Sequence, residues 1–406
     1  MAKDDVLTIS LNGSNLILTR YLYLKDEVKL SLLMAILNKS DDAIFWAYEL
    51  FYSGFKHELF QFIWIIYYDF FATLNPSFEA YLIKKQTEYL SKSFEERHIS
   101  SLIQNLIIRP FNTDVFMMRK ICELFETESY SFNDVEEIKS KLKEWIESCD
   151  YRSIACFILS NDSDKNRKIS NREIYEYVLF VFEETGLKLL KFQLLKEYSN
   201  TSKITVNPAI ILLTKIMSLF SKQKQLIKGR NFYVKVSPEE VVQYETIIAT
   251  NGIKAYRILR NACVCSIDEH KWLQLFALER NNIVSKSGKV KGNINKNIHN
   301  EKWLYHASFS PIWFDRIKLH KGYVDYVNCV VHFTDSDLEE TFYSNYDYEP
   351  DEQPLFVKIR TKMIEDSQEE RSKTWQQFYE KYRNTGFIEI DCDELEALDD
   401  EPIKYN

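Results

Sequence analysis

From Lys25 to Phe220 apolar residues recur at spacings of three and four, the period of an α-helix, in about ten blocks separated by short polar breaks. The pattern predicts helices over Lys25–Leu37, from Asp41 through Phe55, over 56–74, after Asn75-Pro76, and over 99–108, 113–126, 134–148, 151–160, 171–185 and 207–221. In the second block Ile44, Ala47, Tyr48, Phe51, Tyr52 and Phe55 share one face, while Phe45, Trp46 and Leu50 occupy the other. A helix apolar on both sides needs neighbours on both sides. Residues 45–71 hold 13 aromatic rings in 27 positions, the densest core material in the chain. Local punctuation agrees: Asp41 reads as an N-cap, Gly54 as a helix stop, Ser170 with Glu173 as a capping box, and Asn75-Pro76 and Asn207-Pro208 as cap plus first-turn proline.

After residue 222 the period changes. Phe232–Val236 alternates like a strand, and Ser237-Pro238-Glu239-Glu240 starts a helix that ends near Asn251-Gly252; further helices read from Ile253 to Val264 and from Asp268 to Arg280. Ser310-Pro311 starts another helix, Tyr323–Tyr326 and Cys329–Phe333 flank Val327-Asn328 as a hairpin, Ser336 to Glu339 forms a capping box, and Thr374–Arg383 is helical. The expected fold is mainly α. An irregular stacked-helix domain, of HEAT-like form at most since no constant repeat period is present, spans 21–225 with a sub-boundary at 160–169. A smaller α+β module spans 230–383 with a mobile basic loop at 285–301, residues 1–20 form an arm or strand, and 384–406 form an acidic tail.

Composition narrows the classes. With 9 Gly and 8 Pro in 406 residues, the tight turns of an all-β protein are scarce. The greasiest run, Leu59–Tyr68, is ten residues against the about 20 needed to span a bilayer, so no membrane span is expected. The start of the chain lacks signal-peptide form, and seven scattered cysteines fit a reduced, intracellular setting. The net charge of −8 is unevenly placed: residues 387–401 hold eight acids and no base, which leaves 52 acids and 52 bases elsewhere. Residues 201–236 hold seven bases and no acid.

Candidate chemistry is sparse. Ser287-Gly288-Lys289 lacks the spacing of a phosphate-binding loop, and Cys263-Val264-Cys265 with His270 lacks two ligand pairs at zinc spacing. His306, His320 and His332 fall near Asp315 in sequence, with no nucleophile or oxyanion loop beside them; they are the candidates if the C-terminal module is an enzyme of unrecognised type. No cofactor is implied. Lys222, Lys224, Lys228 and Arg230, together with Lys286, Lys289 and Lys291, are the candidate contacts to nucleic acid or to an acidic partner. Ile388, Ile390, Leu395 and Leu398 alternate with carboxylates, the pattern of a segment that docks in a groove of its own body or of a partner. Other proteins are thus the expected partners, with a nucleic-acid-associated role in transcription, replication or translation as the alternative.

FWAYELFYSGF (45–55), IYYDFFATLNPSFEAY (66–81), KAYRILRNACVCSIDEHKWL (254–273), WLYHASFSPIWFDRI (303–317) and YDYEPDEQ (346–353) together resemble a protein family of nucleocytoplasmic large DNA viruses, the mimivirus-like giant viruses among them. The resemblance covers most of residues 20–383. It implies a protein made in the host cytoplasm, located in the viral factory or packaged in the virion, and it carries over no catalytic residue.

Overall fold

The computed structural model describes residues 17–20, 23, 25–91, 95–124, 132, 134–163, 168–185, 206–221, 233–245, 303–346 and 374–400. The fold is mainly helical. The helices of the first half are α1 (Lys25–Leu37), α2 (Asp42–Tyr52), α3 (Lys56–Ile66), α4 (Phe78–Leu90), α5 (Arg97–Ile107), α6 (Asp114–Leu124), α7 (Val135–Ser148), α8 (Tyr151–Ser163), α9 (Asn171–Glu184) and α10 (Pro208–Phe220). Short helices α11 (Val242–Glu245), α12 (Trp303–Ala307) and α13 (Pro311–Leu319) precede a hairpin of β1 (Gly322–Asp325) and β2 (Val330–Phe333), followed by α14 (Ser336–Tyr346), α15 (Trp375–Tyr382) and α16 (Cys392–Asp400). Among the described residues this antiparallel pair, in register from Gly322 opposite Phe333 to Asp325 opposite Val330, is the whole of the sheet structure.

The two-sided helix α2 is covered as its pattern requires, with α1, α3, α5 and α11 packed around it. Eleven of the 13 aromatics in 45–71 are buried, and Phe45 and Tyr52 pack partly buried against them. Each such ring contributes on the order of 1.5–3 kcal/mol by leaving water. Gly54 ends α2 as expected: at φ +95° it lets the Phe55 N–H reach the Leu50 carbonyl at 3.1 Å and its own N–H reach Phe51 at 3.2 Å. The capping box of α9 forms between Ser170 and Glu173, and Asn207 caps α10 through its side chain.

Four local readings change. Asp41 stays helical and makes no side-chain cap; the Ser40 hydroxyl takes the Asp42 N–H instead. Asn75 does not cap α4. Its amide donates to the carbonyls of Phe71 at 2.9 Å and Pro110 at 2.7 Å, so a tertiary bond outcompetes the local one. The helix expected over 56–74 widens at Tyr67–Phe71 into a π-helical turn. Carbonyls in that turn accept from outside it, Phe70 from the Asn112 N–H at 2.9 Å and Tyr68 from the Thr214 hydroxyl at 3.2 Å. Asp69, in the same turn and 2% exposed, is gripped by Arg119 of α6 through Nη2 at 2.5 Å and Nε at 3.3 Å. Residues 233–237 run extended without pairing in a sheet, because the Asn105 side-chain amide takes both backbone groups of Val234, at 3.0 and 3.1 Å.

Contacts cross both expected module boundaries. Helices α8 and α9, on either side of 160–169, both pack on α7 and α10, and Asn161 binds the buried Ile169 carbonyl. Residues 17–20 are part of the body: Leu18 is fully buried, and the Thr19 carbonyl accepts from Trp313 Nε1 at 3.0 Å. The Arg20 guanidinium binds Glu49 Oε2 at 2.9 Å and the Tyr244 carbonyl at 2.9 Å, with both members of the ion pair at most 5% exposed. The Ile312 N–H donates to Ser53, and Tyr382 donates to Asn38. Elements on both sides of 225–230 therefore share one hydrophobic cluster. The helices expected within 253–280 and the loop 285–301 lie outside the described residues.

A Cβ built on Gly54 would sit 2.5 Å from Pro311 Cβ, so the turn ending α2 is the seat of α13. Gly54→Ala combines left-handed strain with this clash and is expected to cost about 2–3 kcal/mol in urea unfolding. A loss under about 1 kcal/mol would show that Pro311 is not seated there.

Candidate functional site

Lys222, Lys224, Lys228, Arg230, Lys286, Lys289 and Lys291 lie outside the described residues, as do Cys263, Cys265, His270 and Lys289's loop. Two other bases of the 201–236 region are described. Lys235 is exposed, but Lys215 is buried in α10 with its ammonium 5.7 Å from the centre of the Tyr175 ring. Burial pushes the Lys215 pKa down, against a smaller upward pull from Glu79. Lys215 is thus a core residue of α10, withdrawn from any basic surface.

The acidic segment is folded onto the body. Ile388, Ile390, Leu395 and Leu398 are each at most 9% exposed and belong to the common core. The spacing of Leu395 and Leu398 places both on the inner side of α16, which packs on α15 and α6, while Asp393, Glu396 and Asp399 remain exposed. The backbone is tied down as well. The Tyr379 hydroxyl donates to the Ile388 carbonyl at 3.2 Å and accepts the Ile390 N–H at 3.1 Å. Asp399 accepts the Trp375 N–H at 2.6 Å, and Arg152 of α8 pairs with Glu394. Residues 387–400 are thus packed against the body, with Ile388, Ile390, Leu395 and Leu398 turned into its core.

The anchor of this segment is Asp114, the first residue of α6. Its Oδ1 accepts the N–H groups of Phe387 at 3.0 Å and Ile388 at 3.1 Å, from 273 and 274 residues away. Gly386 makes the approach possible, since a Cβ there would fall 2.1 Å from Oδ1. Asp114 is 2% exposed, and its Oδ2 is buried without a hydrogen-bond partner among the described residues. Desolvation pushes its pKa up to about 6 against the opposing pull of the Ile388 and Phe387 amides. A second buried carboxyl, Glu79, is also shifted upward by desolvation, with the Tyr68 hydroxyl donating to it at 2.6 Å.

The histidine candidates sit on separate elements, His306 on α12, His320 at the end of α13 and His332 on β2. His320 spends both ring nitrogens, Nδ1 on the Arg316 carbonyl at 2.9 Å and Nε2 on the Asn345 amide at 3.2 Å, beneath the rings of Phe342 and Tyr346. Asp315 is exposed on α13, and His332 lies on the hairpin 4.0 Å from Asp325. His306 is on α12 with its ring against Tyr305. Among the described residues no group of three His, Cys, Asp or Glu is placed to hold a metal ion, and no helix is long and apolar enough to cross a membrane. Sequence reasoning missed Asp114. One signal was available: Gly386 is one of only nine glycines, set just before an apolar alternation.

No protein-family model, curated protein or solved structure matches this chain.

Because the folded pKa of Asp114 lies above the usual 3.8, the folded state binds the extra proton between about pH 4 and 6. This group therefore adds stability as pH falls through 6, and holding it ionised above pH 6 costs on the order of 3 kcal/mol. Asp114→Asn keeps an acceptor for the two amides without the charge. The difference in unfolding free energy between the wild type and this variant should shift in favour of the wild type by about 1–3 kcal/mol from pH 7 to pH 4.5. A difference that does not change with pH would refute the buried, ionised clasp.

Proposed function

We propose that this chain is a non-enzymatic scaffold or protein–protein interaction protein of a large DNA virus, acting in the host cytoplasm or viral factory and carried in the virion. The observation that carries this reading is what the buried ionisable groups do. Arg20 with Glu49, Arg119 with Asp69, and Asp114 with the 387–388 amides each fasten segments distant in sequence, so their polarity is committed to rigidity. A rigid body suits a protein that presents surfaces. The hairpin module supplies one: Val327 at its tip is 90% exposed, and Leu319 and Tyr323 are 74% and 57% exposed. The hairpin is braced from behind, as the Phe333 ring packs tilted against Phe342 and the Asp325 carboxylate ties its turn through the N–H groups of Val327 and Asn328. The viral assignment rests on the resemblance of the five quoted segments.

Cross-linking of intact particles followed by mass spectrometry tests the reading, with exposed Lys318 and Lys321 beside the hairpin as reporters. Cross-links from these lysines to another particle protein are expected, and Val327→Asp should weaken that association about tenfold or more. Absence of the chain from particles, or retention of nucleic acid by the full chain that falls steeply with salt, would overturn the reading in favour of a nucleic-acid-associated role.

A further inference from the structure

Cys122 on α6 and Cys156 on α8 stand 34 residues apart in sequence, yet their Sγ atoms are 2.6 Å apart. This is inside ordinary non-bonded sulfur contact, and about half an ångström of closure brings it to the about 2.05 Å of a disulfide. Cys122 is 6% exposed and Cys156 is half-buried, so a reagent reaches the pair from the Cys156 side. The two helices are tightly packed neighbours. They are also the platform for the C-terminal segment, since α6 carries Asp114 and α8 carries Arg152.

We propose that Cys122 and Cys156 form a redox modification site, closing to an intramolecular disulfide by exchange with a low-molecular-weight disulfide of the glutathione class. Cys156, after giving its proton to solvent, attacks one sulfur of oxidised glutathione. The glutathione S–S bond breaks and one glutathione leaves as a thiolate. Cys122, deprotonated in turn, attacks Cys156 Sγ, and the second glutathione leaves. The two protons released end on the two glutathione thiols; the chain is oxidised by two electrons and glutathione disulfide is reduced. The bond formed staples α6 to α8 beneath the docked acidic segment. The same pair opens again when a reducing thiol is in excess.

The reduced full chain is equilibrated with oxidised glutathione, alkylated, digested without reductant and mapped by mass spectrometry. The expected product is a linked pair of peptides containing Cys122 and Cys156, with glutathione adducts on exposed Cys149 and Cys392 serving as internal controls. In Cys122→Ser, Cys156 should instead retain a glutathione adduct. Oxidation of the wild type should raise Tm by about 4 °C, reversed by dithiothreitol. Because the peptide map is made on the wild type, it decides the matter whether or not the variant folds. Recovery of Cys156 as a glutathione adduct in the wild type, or of both cysteines fully alkylated while Cys149 and Cys392 are modified, would overturn the proposal.

Discussion

A carboxylate withdrawn from water must be answered by donors, and in this chain the donors come from distant segments. Glu49 is answered by Arg20, Asp69 by Arg119 and Asp114 by the backbone of residues 387 and 388. Removing one partner of such a buried pair leaves a charge that the interior cannot solvate, at a cost of about 3–5 kcal/mol. The large aromatic core supplies most of the driving force for collapse, but that force is non-directional. The ionic and amide clasps are directional, because each works only at hydrogen-bond distance. They therefore set which helix faces meet, and they join residue 20, the first helices and residues 387–388 into one body.

Consequences for function follow from what remains outside the clasps. Among the described carboxyls Asp114 and Glu79 are pushed upward by burial, and they bond internally to backbone amides and to Tyr68. The described surface includes apolar residues on a braced hairpin and a helix whose exposed side is acidic. Surfaces of that kind recognise partners by shape and charge, which is the physical content of the scaffold reading.

Features governed by neighbours in sequence were legible. The capping box at Ser170–Glu173, the glycine stop at Gly54 and the hairpin around Asp325 depend on residues within four positions of one another, and the helix period of 25–220 needs no tertiary information. Features decided by distant partners were not. Asn75 has the form of a cap, but Pro110 offers its amide a better acceptor. The π-helical turn at 67–71 exists because Asn112, Thr214 and Arg119 take groups that a regular helix would keep or leave unanswered. The alternation at Ile388, Ile390, Leu395 and Leu398 announced a docking segment without saying where it docks. Asp114 is a first-turn acid of its helix, and its role depends on Gly386 lying against it from far along the chain.

The acidic segment of residues 387–400 is an integral, clasped part of the same core as the first helices. Hydrogen exchange of the full chain, resolved to short peptides, measures this directly. Amides from 387 to 398 are expected to exchange as slowly as those of α6 and α8, with Phe387, Ile388 and Ile390 among the protected sites. Exchange of that segment at the rate of an unstructured peptide, while α6 and α8 stay protected, would contradict it.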